Sequence, residues 1–281
     1  MLSVLREATS KLVLWDIDHT LIATRGVGRE IFADAFEKVT GTPMREQATV
    51  DGMTEPVIFH RTAQLHGITS DRTMFDEFAR HSTELHRLRA HDLRERGHAL
   101  PGAAVAPATL AALDDVVQSV VTGNIRAVAK TKLQVFGLDT HMQLSHGGYG
   151  DDHDDRAELV RTAIARTRTA TGAHVALDDV LLIGDTPADV AAARAAGVPA
   201  LAVATDAPLP RNWLMPEPPP RSAISRTPPR STTCFADCGR GCFQGPLAGI
   251  RHSCGRRPRN GPAEMPSLDG TCLRSALGLG S

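Results

Sequence analysis

Cysteine is missing from the first four-fifths of this 281-residue chain, all five falling at Cys234 or later. A disulfide framework for the main domain is therefore excluded, and so is a cysteine nucleophile within it. Neither sign of charge is in excess: 31 Lys and Arg face 32 Asp and Glu, for a formal net charge of -1. That balance argues against a nucleic-acid or anionic-membrane binder. No apolar run approaches the roughly 20 residues of a membrane span. The opening MLSVLREATSKLVLWD mixes acidic and basic residues before any apolar stretch and lacks a small-residue cleavage site. It does not read as a signal peptide, and a cytoplasmic location is expected. Helix and strand periods are also missing after Thr205, where Pro, Arg, Gly and Ser dominate and the text resembles a disordered segment. The four cysteines Cys234, Cys238, Cys242 and Cys254 lack the C-x-x-C pairs of a zinc ribbon.

What is present is organised around Lys11 to Leu21, KLVLWDIDHTL. Leu12, Val13, Leu14 and Trp15 show no polar alternation and read as a strand buried on both faces, as inside a parallel sheet. Asp16 and Asp18 arrive where it ends. Side chains two apart on an extended chain point the same way, so both carboxylates face one spot while Ile17 packs opposite. They repel unless a cation lies between them. A magnesium-bound pair at a strand's carboxyl end is one reading, and a strand followed by a polar turn is the plainer one.

Next, Ile31, Phe32, Ala35, Phe36 and Val39 recur at helical spacing until Gly41, after a Gly26/Gly28 turn. From Asp51 to about Leu100 the text is helical without strand signal, with Ser70 and Asp71 as N-cap candidates and Gly97 as a stop. Such an insertion at the catalytic edge of a sheet would act as a lid. His81, His86 and His91 are five apart, which spreads them around a helix, and a solvated surface is expected instead of a metal site. Alternation returns past Pro101: helix ATLAALDD, strand VVQSVVTGN, helix IRAVAKTKLQVFG, a short strand around MQLSHGGYG, helix DDRAELVRTAIARTRTATG, strand DVLLIGD, helix TPADVAAARAAG and strand VPALAVAT. This rhythm gives a parallel α/β sheet with helices on both faces and all strand carboxyl ends along one edge. Asp16, Thr122 and Asp185 sit at such ends.

DIDHT, VVTGN and LLIGDTPADV in this order resemble the haloacid dehalogenase-like hydrolase superfamily over roughly residues 10 to 205, with the phosphoglycolate phosphatase-like members nearest. The resemblance implies a Rossmann-like core of residues 1–21 and 101–205, an all-helical cap of residues 22–100, and a tail of residues 206–281. It also implies a phosphatase of small phosphorylated metabolites. Asp16 would be the nucleophile and Asp18 the acid and base, with Asp16, Asp18 and Asp185 around Mg2+, Asp18 through its backbone carbonyl, and Asp189 in support. Thr122 with the amides of Gly123 and Asn124 would bind phosphate. The bridging cation, usually lysine, is expected at Arg156, whose fork suits phosphate oxygens. Lys130 and Lys132 are the runners-up and read as solvated charges. Asp51, Gly52, Met53 and Thr54 would form a cap loop facing the site, and Arg25 and Arg61 are candidates for a substrate carboxylate, with a structural or merely exposed role the plainer reading of each.

Relatives in this superfamily continue past residue 205 with a helix and a short final strand, and neither is visible here. The abrupt change suggests a C-terminus read in a shifted frame, which sequencing the source transcript or gene would test. A dehalogenase of the same fold would not need Asp18, whereas a phosphomutase would use both aspartates. A catalytically impaired phosphate-binding protein is the alternative from another class. Neither substrate nor oligomeric state is encoded legibly.

Overall fold

The computed structural model describes residues 10–203 and 233–236. Its first strand, β1 (Lys11–Trp15), is an interior strand of the main sheet, one in from its edge, and alternates between two cores. Leu12 and Leu14 point to one face, and Val13 and Trp15, followed by Ile17, to the other; all five are fully buried. A strand buried on both faces has no polar side to display, which explains the unbroken apolar run. Trp15 keeps its polar edge satisfied by donating from Nε1 to Gln118 Oε1 at 3.1 Å.

A two-residue strand β2 (Ile22–Ala23) then leads into four helices: α1 (Val27–Thr40), α2 (Glu55–Leu65), α3 (Arg72–Leu88) and α4 (Ala90–Arg96). The chain returns through β3 (His98–Ala99), antiparallel to β2. The sequence shows no strand signal here because two residues are too few to carry a period. Phe32, Phe36, Phe59, Phe75 and Phe78 form the core of the helical segment, with Phe78 4.7 Å from both Phe32 and Phe59 between ring centroids. That stripe continues along α3 through Ser82 to His86. His86 is therefore buried, contrary to the expected solvated helix surface, while His91 is exposed.

The remaining elements are α5 (Val105–Ala111), β4 (Val116–Val120), α6 (Arg126–Val135), α7 (Arg156–Thr171), β5 (Val180–Gly184), α8 (Pro187–Ala196) and β6 (Ala200–Val203). Residues of α5 and α6 pack on the Val13 and Trp15 face, and those of α7 and α8 on the Leu12 and Leu14 face. All pairings in the main sheet are parallel, in the order β4-β1-β5-β6-β7, where β7 is Thr233–Ala236. Because β4 and β5 flank β1, the residues after these three strands meet at one edge, the usual place for a ligand in an open α/β sheet.

Two expectations are corrected. The stretch around MQLSHGGYG is not a strand: Leu144–His146 is a single 3-10 turn, and only Val121 and Gly148 form an isolated parallel bridge. The Tyr149 hydroxyl donates to the Leu144 carbonyl at 2.5 Å, folding the segment back on itself. A final strand is also present, since β7 pairs with β6 from Ala200↔Thr233 to Val203↔Ala236. Four residues inside a Pro- and Arg-rich text are too short a signal to find. Otherwise the expectations for residues 206–281, including the shifted frame, lie outside the described residues. Among the described residues no helix is long and apolar enough to cross a membrane.

Candidate active site

Asp16 follows β1 and is 6% exposed, with its Oδ1 accepting from Arg156 Nη2 at 2.6 Å. Arg156 opens α7 and reaches across to Asp189, donating from Nε to Oδ1 at 2.8 Å. Asp189 stands at the third position of α8 and completes a capping box with Thr186: its Oδ2 accepts from the Thr186 amide at 3.0 Å. The helix start and the site therefore share one carboxylate. This approach needs Gly184, because a Cβ there would overlap the Asp189 carboxyl.

Asp16, Asp185 and Asp189 each offer an oxygen, all within 4.8 Å of one another. The Thr20 hydroxyl lies between the first two, at 3.0 Å from Asp185 Oδ1 and 3.4 Å from Asp16 Oδ2. Three carboxylates gather where one guanidinium pairs with only two of them, Asp16 and Asp189. Burial, then Asp189, pushes Asp185 up to about 6. Burial likewise raises Asp16 well above the usual carboxylate range, with Asp189, Asp185 and Asp18 adding to it and Arg156 opposing. A hard, oxygen-rich, electron-dense cluster of this kind fits a divalent cation.

A second pairing stands beside the first. The Asp18 carboxylate turns to Lys132, whose Nζ lies 2.9 Å from Oδ1 and 2.8 Å from Oδ2, and to Asn124 Nδ2 at 2.7 Å. Burial pushes Asp18 up, but the Lys132 charge and the hydrogen bonds from Lys132 and Asn124 outweigh it and hold the carboxyl below its ordinary range. Lys132 is therefore no solvated charge; it is 5% exposed. It shares the buried face of α6 with Val128, Ala129 and Leu133, and that i, i+3, i+4 stripe is the sequence signal that gives it away. Lys130 is exposed. Each of the two aspartates is paired with its own cationic side chain, Asp16 with Arg156 and Asp18 with Lys132.

Thr122 follows β4, and its hydroxyl accepts from Asn124 Nδ2 at 2.8 Å. The start of α6 is already met by two carboxylates, Glu55 Oε2 on the Ile125 amide at 2.9 Å and Asp151 Oδ1 on the Arg126 amide at 3.1 Å. The Glu55 amide also donates to the Gly123 carbonyl at 2.8 Å. A Cβ on Gly123 would overlap the Met53 carbonyl, and one on Gly52 would overlap Ala188. The loop Asp51 to Thr54 therefore lies against both the Thr122 turn and the start of α8. Arg61 Nη1 contacts Met53 Sδ at 3.3 Å, whereas Arg25 is exposed beside His98 at the β2/β3 pair.

Sequence reasoning missed Thr20 and Glu55, and it placed the buried His86 on a solvated surface. Thr20 stands four residues after Asp16 and had a legible place in the motif. Glu55 did not: an acidic residue in a helix's first turn is ordinarily explained by the helix itself. Burial raises the Glu55 carboxyl, and burial followed by the Lys132 charge lowers His86 to about 4.

These shifts set a stability test for metal-free protein. A carboxyl raised from 3.8 to about 6 in the fold binds its proton more tightly folded than unfolded. Its contribution therefore favours the fold below the unfolded value and is lost as pH rises through about 6. Chemical denaturation across pH 4 to 6 should show a steeper loss for the wild type than for Asp185→Asn. Equal slopes would contradict the crowding of charge around Asp185.

A family model described as haloacid dehalogenase-like hydrolase matches residues 13–194. A comparison with curated proteins finds no match. Among solved structures, a hydrolase from Pseudomonas syringae is similar at 18% identity over 69% of this chain and 84% of that one, with a TM-score of 0.49. A predicted phosphoglycolate phosphatase from Haemophilus somnus has 17% identity, the same coverages and a TM-score of 0.48. A haloacid dehalogenase-like family hydrolase from Streptococcus pneumoniae has 14% identity, again over 69% and 84%, with a TM-score of 0.44. Since the family model runs from inside β1 into α8 and takes in both aspartate pairs with their cations, the chain belongs to the haloacid dehalogenase-like hydrolases.

Proposed function

We propose that the protein is a magnesium-dependent phosphatase that hydrolyses a small phosphorylated metabolite through a phosphoryl group carried on Asp16. The observation that carries this reading is the separation of Asp16 and Asp18 by their partners. Two carboxylates two residues apart hold different cations, Arg156 and Lys132, and so have different environments. Distinct environments suit distinct tasks in one reaction.

In the first step an Asp16 carboxylate oxygen attacks phosphorus. The bond from phosphorus to the ester oxygen breaks, its electron pair stays on that oxygen, and Asp18, which takes up a proton once the negative charge of the phosphate lies beside it, supplies the proton that makes it an alcohol. In the second step a water oxygen attacks phosphorus while Asp18 takes its proton. The bond to Asp16 breaks, so phosphate departs with Asp16 again a carboxylate and Asp18 again protonated. Arg156 orients Asp16 and offers its fork to the equatorial oxygens. Thr122 and the amides of Gly123 and Asn124 bind the remaining phosphate oxygens. The helical segment of residues 22–100 serves as the cap, and its Asp51 to Thr54 loop keeps water from the first step.

Asp16, Asp185 and Asp189 would hold Mg2+, together with the Asp18 backbone carbonyl in the manner the resemblance implies. When bound, the ion neutralises charge on the transferring group and on Asp16. Asp18 also favours phosphate ester chemistry over dehalogenation, which has no leaving group that needs a proton.

Release of p-nitrophenol from p-nitrophenyl phosphate by the full chain tests the reading. Turnover is expected with magnesium and should fall to background with excess EDTA. Folded protein showing no metal-dependent release would overturn it.

A further inference from the structure

Lys132 is the one buried ammonium among the described residues, and the reaction outlined above gives it no task. An ammonium has three hydrogens to donate and no acceptor. All three directions are met: Asp18 Oδ1 at 2.9 Å, Asp18 Oδ2 at 2.8 Å and Asn124 Oδ1 at 2.8 Å. Asn124 then closes a ring, because its Nδ2 donates to Asp18 Oδ2 at 2.7 Å and to the Thr122 hydroxyl at 2.8 Å. The amide can sit only one way round, with oxygen toward the ammonium and nitrogen toward the carboxylate. Three side chains thus fix one another, and one of them belongs to the phosphate turn.

The surroundings hold Lys132 still. Its side chain is 7% exposed, against 35% for Asp18, so the lysine is the fixed partner and the aspartate faces the open side. Val128, Ala129 and Leu133 bury the same face of α6. The Ile125 and Arg126 amides at the start of that helix are bound by Glu55 and Asp151. His86, packed nearby on α3, is held neutral by burial and by the Lys132 charge, so it places no second cation beside the pair.

We propose that Lys132 is a positioning residue for Asp18: its ammonium fixes the carboxylate in the orientation from which Asp18 exchanges protons with the leaving oxygen and with the attacking water. It is not the cation that bridges phosphate, because taking that place would break the ring that orients Asp18. This inference rests on the phosphatase reading, and it gives the two buried cations separate duties, Arg156 for the nucleophile and Lys132 for the acid and base.

The test is a comparison of the full-length wild type with Lys132→Met, Lys132→Arg, Asp18→Asn and the double variant Asp18→Asn/Lys132→Met. Each is assayed with p-nitrophenyl phosphate and magnesium, by rapid mixing and at steady state. Nitrophenolate leaves without needing a proton, so Lys132→Met should keep the initial burst of product. Its steady-state kcat should fall about 10- to 100-fold, within the range of acid and base catalysis, with KM changed less than about threefold. Lys132→Arg should recover part of kcat. In the Asp18→Asn background, Lys132→Met should cost nothing further, since a residue acting through another shows no independent effect.

The double variant removes both charges together and keeps the test readable where Lys132→Met alone unfolds. Equal losses in both backgrounds would overturn the proposal, as would loss of the burst with a raised KM, which would put Lys132 on the phosphate. A wild type silent with magnesium removes the phosphatase reading and this proposal with it. An active wild type with the wrong pattern of variants removes this proposal alone.

Discussion

Asp16→Asn should abolish phosphate ester hydrolysis, lowering kcat by about 10,000-fold or more, in the range seen when a covalent nucleophile is removed from an enzyme. Asparagine has the shape of aspartate and cannot accept and release a phosphoryl group in this way. The fold should survive. The Asp16 carboxyl is already disfavoured by burial and by the charges of Asp189, Asp185 and Asp18. A neutral amide relieves that repulsion, and Arg156 keeps its bond to Asp189. The melting temperature of metal-free Asp16→Asn is therefore expected to be no lower than that of the wild type. An inactive variant that is also unfolded would say nothing about chemistry, so melting and turnover are measured on the same preparation.

Arg156 should show the opposite combination, a large loss of stability together with a loss of activity. Its guanidinium is 9% exposed and lies 2.6 Å from an oxygen of both Asp16 and Asp189. Burial opposes its charge, but the two carboxylates outweigh that and bind the proton more firmly than usual. Arg156→Met would leave both buried acids without their cation, with only the Thr20 and Thr186 hydrogen bonds remaining among the described residues. Breaking a buried pair from one side costs about 3–5 kcal/mol, so thermal or chemical denaturation should show a shift of that order. Magnesium should restore part of it by occupying the same cluster. Arg156→Lys keeps a positive charge and should stay folded, but with one point of contact where a fork was. If Arg156→Ala retained full activity while Lys132→Ala abolished it, the two cations would have to exchange roles.

The sequence is most readable where burial leaves little choice. In β1 the run from Leu12 to Trp15 permits only a strand covered on both faces, and the parallel order of β4, β1 and β5 then forces Thr122, Asp16 and Asp185 to one edge. Lys132 is hard to read for a reason of chemistry. A lysine between Lys130 and Gln134 looks solvated, yet its place on the Val128, Ala129 and Leu133 stripe marks it as buried. His86 is obscured in the same way: its spacing from the other histidines suggests a solvated surface, while its position on the Phe75, Phe78 and Ser82 stripe buries it.

Long-range contacts leave weaker traces. Glu55 meets the Ile125 amide 70 positions away, and its local text, a glutamate before a proline at a helix start, is complete without that partner. The glycines before Tyr149 hid a turn that makes one bridge to Val121 where a strand was expected. Strand β7 is legible only through its pairing with β6. In each case the deciding interaction joins residues far apart in the chain, and no period of 2 or 3.6 encodes it.

The central claim is that Asp16 carries the phosphoryl group between two half-reactions. Rapid acid quenching of the enzyme during turnover of p-nitrophenyl phosphate with magnesium, followed by peptide mass spectrometry, examines that bond itself. A phosphoryl adduct on Asp16, present in the wild type, accumulating in Asp18→Asn and absent from Asp16→Asn, is the predicted result. Turnover by the wild type with no adduct on Asp16, or with the adduct on another residue, would contradict the account.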